Sequence, residues 1–456
     1  MKGTVVFTLL LVTVVGYSQN KSESTKLTYE EAIKIGLKNN VILNQQKNTL
    51  FSRQVSKNAS IANLAPNLFA QGQVFTNVGQ QPNPENGDLQ NLSVTNAAAS
   101  LNANLVLFNG LSRISTLQQN TSLFKAQTSL VKRAEQDAIF AVTNQYLQVL
   151  LDQELLRIAE ENFKAQSVLV EQTRESVNLG ARPESDLYNQ DAQAKNMELI
   201  AVRAKMTLEN DKAILAQTLQ LDPIVPLELA MPSLTFSLTD ASKLDLDSLT
   251  NAALTTREDL KQFNHQMDAS QYAHRAALGL LMPTVTAFAS YGSNYYSSLV
   301  NAPISDQRPD DLYGNFGNQF RNIFPNTTYG LNFNVPIFSR MASRNSRVQA
   351  KVQYDNAKIL RDNLEKTIKL EVKRAYNNYV AAIEAHRTAQ AQLESGALAL
   401  RVQTESYGLG VANQVTLAQA NQTYVQAASS KAQADVTLVF QKILLEYALG
   451  TLIRPE

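Results

Sequence analysis

LNANLVLFNG (residues 101–110) and LNFNVPIFSR (residues 331–340) carry one alternating pattern at two places about half a chain apart. Leu101, Ala103, Leu105 and Leu107 alternate with Asn102, Asn104, Val106 and Phe108. Leu331, Phe333, Val335 and Ile337 alternate with Asn332, Asn334, Pro336 and Phe338. In a strand, period two puts the first set of each on one face and the asparagines on the other. Each stretch has an upstream partner of the same parity. Leu68, Ala70 and Val74 oppose Gln71 and Gln73 before the first, and Val285, Ala287 and Tyr291 oppose Thr286 and Ser290 before the second. Phe69 and Phe288 stand on the polar side as exceptions. The expectation is two β-hairpins, about 66–108 and 283–338, each with an apolar and a polar face.

Outward from these hairpins the repetition continues. NLAPNLFA around Pro66 aligns with LLMPTVTA around Pro283, and Phe108 with Phe338. Beyond them Tyr146 falls on Tyr376, Leu179-Gly180 on Leu409-Gly410, and Leu187 on Leu417. The reading is a first repeat over 19–221, a Pro-punctuated linker over 222–246 and a second repeat over 247–456. The second repeat has a longer insert at 303–325, rich in Asn, Asp and Gly and expected as an extended loop. Each repeat runs helix, strand, strand, long helix, turn, helix. The first helix is expected over 28–64. The long helix, 111–179, contains no Gly or Pro and would reach on the order of 100 Å.

No single core covers such a helix, so it belongs to a coiled coil, a repeat array or a tube. Val142, Val149, Leu156, Phe163, Val170 and Val177 recur every seven residues, with Val372, Tyr379, His386, Leu393, Leu400 and Tyr407 at the matching places. A seven-residue period means supercoiled neighbours packed knobs into holes. The other faces are rich in Ala, Gln, Asn, Ser, Lys and Glu, which suits a wall one helix thick with water on more than one side.

Lys2 precedes the apolar run TVVFTLLLVTVVG, and small residues Gly16 and Ser18 stand before Gln19. Residues 1–18 read as a secretory signal peptide. Formal net charge is +1, so broad electrostatics do not suggest a nucleic-acid partner. The chain has no cysteine, which excludes a disulfide framework and thiolate metal sites. Mean hydropathy is slightly negative, against a bundle of membrane-spanning helices.

A hairpin with one apolar face also suits half of a soluble sandwich. Three features favour a membrane barrel instead: export, strands near the 9–11 residues that cross a bilayer when tilted, and helices too long for a compact core. Leucines would then meet lipid and asparagines would line water. Four strands cannot close a barrel, and an open edge in lipid leaves backbone groups unpaired. About eight strands are the minimum, so chains must pool their hairpins, two giving eight and three giving twelve.

The repeated order of helices and hairpins, the junctions LVLFNG and VPIFSR, and the helix-turn motifs SVNLGARPESDL and SYGLGVANQVTL resemble the TolC-like outer membrane efflux proteins. The resemblance covers about residues 27–452. It implies a mainly α fold with a transmembrane β-barrel: a homotrimer with a twelve-stranded barrel in outer-membrane lipid, continued by a long α-helical periplasmic tunnel. An equatorial belt would be formed partly by the linker and C-terminus. The implied partners are a periplasmic adaptor (membrane fusion) protein and an inner-membrane transporter.

No catalytic constellation, P-loop or nucleophile elbow appears, and no cofactor is implied. His265, His274 and His386 are scattered, so no metal site is expected; His386 sits at a seam position and reads as a packed or interhelical histidine. The informative sites are the two helix-turn-helix tips. Gly180 and Gly410 end long helices where glycine permits a left-handed backbone, and Pro183 helps start the returning helix. The resemblance implies that Leu179, Gly180, Leu409 and Gly410 form an adaptor-docking surface. It also places a periplasmic gate after the turn, at Arg182, Glu184, Asp186 and Asp191. Thr416, at the equivalent of Asp186, and Gln419 replace carboxylates in the second copy, so the innermost ring is expected to be less negative. For Glu184 and Asp186, helix capping and gating are both open readings. Tyr291, Tyr295, Tyr296 and Tyr329 suit either the bilayer boundary or loop packing. The function expected is a passive outer-membrane exit duct of a tripartite efflux or type I secretion system, not an enzyme. The alternative is a secreted, non-conducting coiled-coil scaffold.

Overall fold

The computed structural model describes residues 27–82, 87–224, 227–230, 245–297 and 315–452. The expected signal peptide, most of the linker and the first part of the Asn/Asp-rich insert lie outside the described residues. The elements run α1 (Tyr29–Asn39), α2 (Val41–Ala62), β1 (Asn67–Pro82), β2 (Leu89–Asn109), α3 (Ser112–Asn178) and α4 (Glu184–Thr218). The same order follows with α5 (Leu246–Thr256), α6 (Glu258–Gly279), β3 (Thr284–Tyr296), β4 (Asn326–Asn334), α7 (Ala342–Gly408) and α8 (Gln414–Leu449). Element lengths match closely: α1 and α5 have 11 residues each, α2 and α6 22 each, and α3 and α7 67 each.

The single first helix expected over 28–64 is two helices. Thr28 and Glu31 close a capping box at the start of α1. Asn40 then leaves the helical region, donates its N–H to the Gly36 carbonyl and accepts from the Leu43 N–H, ending α1 and capping α2. Arg257 makes the same break between α5 and α6, at φ −60°, ψ 122°.

The four strands form one antiparallel sheet in the order β1-β2-β3-β4. Leu68 pairs with Ala103, Ala103 with Ala289, and Ala289 with Tyr329, so these residues share one face. Asn102 pairs with Phe69 and Ser290 on the other face, and the Ser290 hydroxyl donates to the Asn102 side-chain Oδ1 at 2.9 Å. The polar-side exception Phe288 pairs with Gly330, where an added Cβ would stand 3.1 Å from the Phe288 ring.

The expected parity fails at two places. The register shifts between Val106 and Phe108, so Phe108 lies opposite Val285 on the apolar face and Leu107 is the bulged residue. β4 stops at Asn334, so Val335, Pro336, Ile337 and Phe338 lie beyond the strand. Pro336 has no N–H to donate to a ladder. The strands have 16, 21, 13 and 9 residues, so only β4 falls within the expected 9–11. Residues 316–323 of the insert are helical rather than extended, and pack Phe316 on Tyr295 while Phe324 packs on Tyr296. Those two tyrosines therefore do loop packing, whereas Tyr291 and Tyr329 are exposed on the apolar face.

The helices form two hairpins, α3 with α4 and α7 with α8, with α6 packed between α3 and α7. Tyr146 is fully buried among Ile33, Val142, Val149, Leu215 and Leu219 in one core. Ile368, Val372, Tyr379, Leu260 and Leu445 form the counterpart in the other. The seven-residue seam is visible throughout: all twelve predicted positions are buried or half-buried. Among the described residues, no helix is long and apolar enough to cross a membrane.

Candidate functional site

Both hairpin tips are built by the same backbone device. At the first, the Gly180 N–H donates to Val177 O and the Ala181 N–H to Ser176 O; at the second, Gly410 donates to Tyr407 O and Val411 to Ser406 O. These are Schellman motifs, which need a left-handed residue just past the helix end. Gly180 (φ 70°) and Gly410 (φ 74°) supply it, and nothing lies within 4 Å of an added Cβ at either. The turn throws Leu179 and Leu409 outward, 83% and 81% exposed. The four proposed docking residues thus lie at two equivalent apices of the molecule.

The gate residues separate into groups. Arg182 lies with its guanidinium carbon 4.1 Å over the Tyr407 ring, and its Nη1 donates to the Tyr407 hydroxyl. The same Nη1 is 3.9 Å from the Asp186 carboxylate. Arg182 therefore ties the α3–α4 tip to the end of α7, and Tyr407, read from the sequence only as a seam residue, is its partner. Glu184 and Asp186 occupy the first turn of α4, whose N-cap is Pro183 with no side-chain capping bond, so their carboxylates sit at the positive helix end. Asp191 is exposed, one turn from Lys195. Thr416 spends both its backbone N–H and its hydroxyl on Asn413, the N-cap of α8. Gln419 is exposed, one turn further along.

Above the tips, Gln166 donates to the side chain and carbonyl of Gln190, joining α3 to α4 through buried amides. Higher still, Asp152 of α3 is buried; burial, then a hydrogen bond and repulsion from Asp211 of α4, push its carboxyl up to about 7. The equivalents in the second hairpin are Ala382 and Gln441. His386 Nε2 lies 2.9 Å from Asp435 of α8, an interhelical contact. Among the described residues, no three His, Asp or Glu side chains gather as metal ligands. At the opposite end, the sheet turns Leu101, Tyr291, Leu331 and Phe333 outward, all exposed on the apolar face.

Residues 249–451 match the outer membrane efflux protein family. The chain is 23% identical over 368 residues to the outer membrane protein TolC of Salmonella enteritidis, covering 80% of this chain and 71% of that one. The second half of the chain therefore carries the pattern of the outer membrane efflux proteins, and the chain is similar to TolC over most of its length. Its fold is similar to that of the Campylobacter jejuni CmeC outer membrane channel, with a TM-score of 0.79 at 16% identity over 100% of this chain and 95% of that one. It is also similar to the outer-membrane channel OprN, with a TM-score of 0.78 at 18% identity over 94% and 91% of the two chains. The sheet has the kind of face that an outer-membrane location requires, apolar and alternating with a polar reverse.

Proposed function

We propose that this efflux protein is a passive exit duct of a tripartite efflux or type I secretion system, assembled as a homotrimer with a twelve-stranded barrel. The observation that carries the reading is the four-stranded sheet itself, apolar on one face, polar on the other, and open at both edges. In lipid each unpaired edge group costs several kcal/mol, so β1 and β4 must find strands from other copies. The polar face then lines a water-filled lumen that continues between the helical hairpins.

Energy comes from elsewhere, from an inner-membrane transporter reached through a periplasmic adaptor. The adaptor docks on Leu179, Gly180, Leu409 and Gly410, covering the two exposed leucines. In the resting state Arg182 holds the α3–α4 tip to Tyr407. Adaptor binding stabilises a state in which the α7–α8 pair swings away from that contact. Because Thr416 and Gln419 carry no charge, only the first repeat contributes carboxylates to the constriction, through Glu184, Asp186 and Asp191.

Deletion of the gene followed by complementation with this chain, scored by export of drugs, metal ions and secreted polypeptides, tests the reading. Single-channel recording from purified protein in planar bilayers accompanies it. Restored export and discrete conductance steps are expected. Material that is monomeric and freely dissolved without surfactant would instead favour the coiled-coil scaffold.

A further inference from the structure

The four strands carry no charged residue of either sign. Charge begins where the sheet gives way to the helices, and it begins with cations alone. Lys57 lies near the end of α2 and Arg113 at the start of α3. Arg275 lies near the end of α6, and Arg340, Arg344 and Arg347 lead into α7. α2 has no acidic residue. The first along α3 is Glu135 and the first along α7 is Asp355, while the last along α6 is Asp268. Acids are not scarce in the chain, with 40 Asp and Glu against 41 Lys and Arg, so their exclusion from this one level is positional.

These cations also lack the company that cations keep elsewhere on the helices. Arg157, Lys195, Lys212 and Lys369 each pair with a carboxylate one turn away. Among the described residues, none of the six at the junctions forms an ion pair. Lys57 lies over the Phe124 ring and Arg275 over Tyr272. Arg113 is half-buried, and its Nη1 has no hydrogen-bond partner. Arg275, Arg340, Arg344 and Arg347 are exposed. At the same level the chain exposes large apolar side chains: Leu111 is 62% exposed, Phe338 75% and Ile337 95%. A water-filled lumen would leave those side chains uncovered. A bilayer surface takes the apolar groups into its acyl region and leaves the guanidinium groups at the level of the head groups.

We propose that the cations at the sheet–helix junctions form a collar that binds the head groups of anionic phospholipids in the leaflet next to the helices. The inference rests on the membrane duct proposed above and adds to it a preference for one class of lipid. Five of the six cations are arginine, whose planar fork matches two phosphate oxygens at once. Arg340 stands in left-handed backbone, at φ 49°, where the first repeat has Gly110 at φ 63°. Glycine adopts that conformation without cost and arginine does not, so the second junction carries strain at the position of a cation. The attraction adds up over the collar, because each cation held near a surface of negative head groups contributes to binding, and salt screens it within about a Debye length. A zwitterionic lipid carries the same phosphate beside its own cation and gains much less from the collar.

The probe is phosphatidylglycerol, with phosphatidylcholine as the zwitterionic control, each titrated into the full-length protein in mixed micelles and followed by native mass spectrometry. Phosphatidylglycerol should bind about tenfold more tightly. Arg340→Gln, Arg344→Gln and Arg347→Gln combined should bring the ratio close to one, and the lysine versions of the same three should keep most of it. Arg344→Gln alone should lower the ratio about threefold and serves if the triple variant fails to fold. Arg374→Gln, Arg387→Gln and Arg401→Gln combined remove three exposed cations from the same helix further from the sheet, and should leave the ratio unchanged. Equal binding of the two lipids overturns the collar, and so does equal loss in the two triple variants. Displacement of phosphatidylglycerol by an equal concentration of inorganic phosphate overturns it in favour of a site for free anions. A glutamine variant that keeps its lipid preference but loses anion selectivity in single-channel recording places the arginines in the lumen and overturns it as well. Protein freely dissolved without surfactant would overturn the duct reading together with this inference, whereas a conducting channel without lipid preference overturns this inference alone.

Discussion

α3 and α7 have the same length, 67 residues each, yet α3 buries 21 of them and α7 only 8. α3 is packed by α2, α4, α6, α8 and the short α1, while α7 receives α6, α8 and the short α5. The lesson is that burial in a single chain does not measure the quality of a helix. It measures how many neighbours the connectivity delivers, and the second long helix receives fewer of them. The same contrast between halves appears wherever a position is polar in one repeat and apolar or charged in the other, and each such position offers a test.

The largest effect is expected at the twin positions Arg257 and Asn40. Arg257 is buried, with Nη1 2.6 Å from Glu371, paired also to Asp259 and facing the Ala448 carbonyl. Removing it leaves the Asp259 carboxylate with the Leu260 N–H but without its paired cation, so Arg257→Ala should cost about 3–5 kcal/mol of stability, measured by denaturation in detergent. Asn40→Ala removes one helix cap and should cost about 1 kcal/mol. Equal losses would show that the two breaks carry equal weight.

Next in size are the apolar faces of the two hairpins. Leu101→Arg and Leu331→Arg should each destabilise the membrane-inserted form by about 2–4 kcal/mol, read as loss of folded protein from outer-membrane fractions. Asn102→Arg and Asn332→Arg, on the polar faces, should leave insertion intact. Loss at one leucine and tolerance at the other would mean that the two hairpins do not share a lipid surface.

Asp152 gives a pH-dependent difference that the second hairpin lacks, since its twin is Ala382. The folded chain binds the Asp152 proton more tightly than the unfolded chain, whose value is near 3.8. Its contribution to the α3–α4 seam is therefore complete below pH 3.8 and lost as pH rises through about 7. Asp152→Asn should flatten the fall in melting temperature between pH 5 and pH 8, as followed by circular dichroism at both values. A variant with the parent's full slope would remove this carboxyl from the account.

The smallest effect is at the tips. Arg182→Ala removes one cation–π contact and one hydrogen bond, about 1–2 kcal/mol in a partly wet site, and should raise the open probability of isolated channels several-fold. Tyr407→Phe keeps the ring and should act more weakly. The twin position, Ala412, has no such link to lose.

Most of the fold was legible because its signals are local. Period two marked the strands, glycine marked the tips, and a 67-residue run free of glycine and proline marked the long helix. The bulge at Leu107 was hidden because the sequence continues to alternate through it while the ladder does not. The break at Asn40 was hidden because one asparagine can serve as interior residue or cap, and only its bond to the Leu43 N–H distinguishes them. Within the candidate site the glycines and outward leucines were readable. Tyr407 was not, because its seven-residue spacing was already explained by packing.

By itself the sequence determined the element order, the two faces of the sheet, the length of the helices and the place of the turns. Each follows from spacing along the chain, where side-chain direction is set by backbone geometry. The tertiary structure alone decided that Arg182 reaches Tyr407 across 225 residues, that Asp152 and Asp211 share a seam, and that one side of α7 is left bare. Those depend on how distant segments come to rest against each other, and no local pattern encodes that distance.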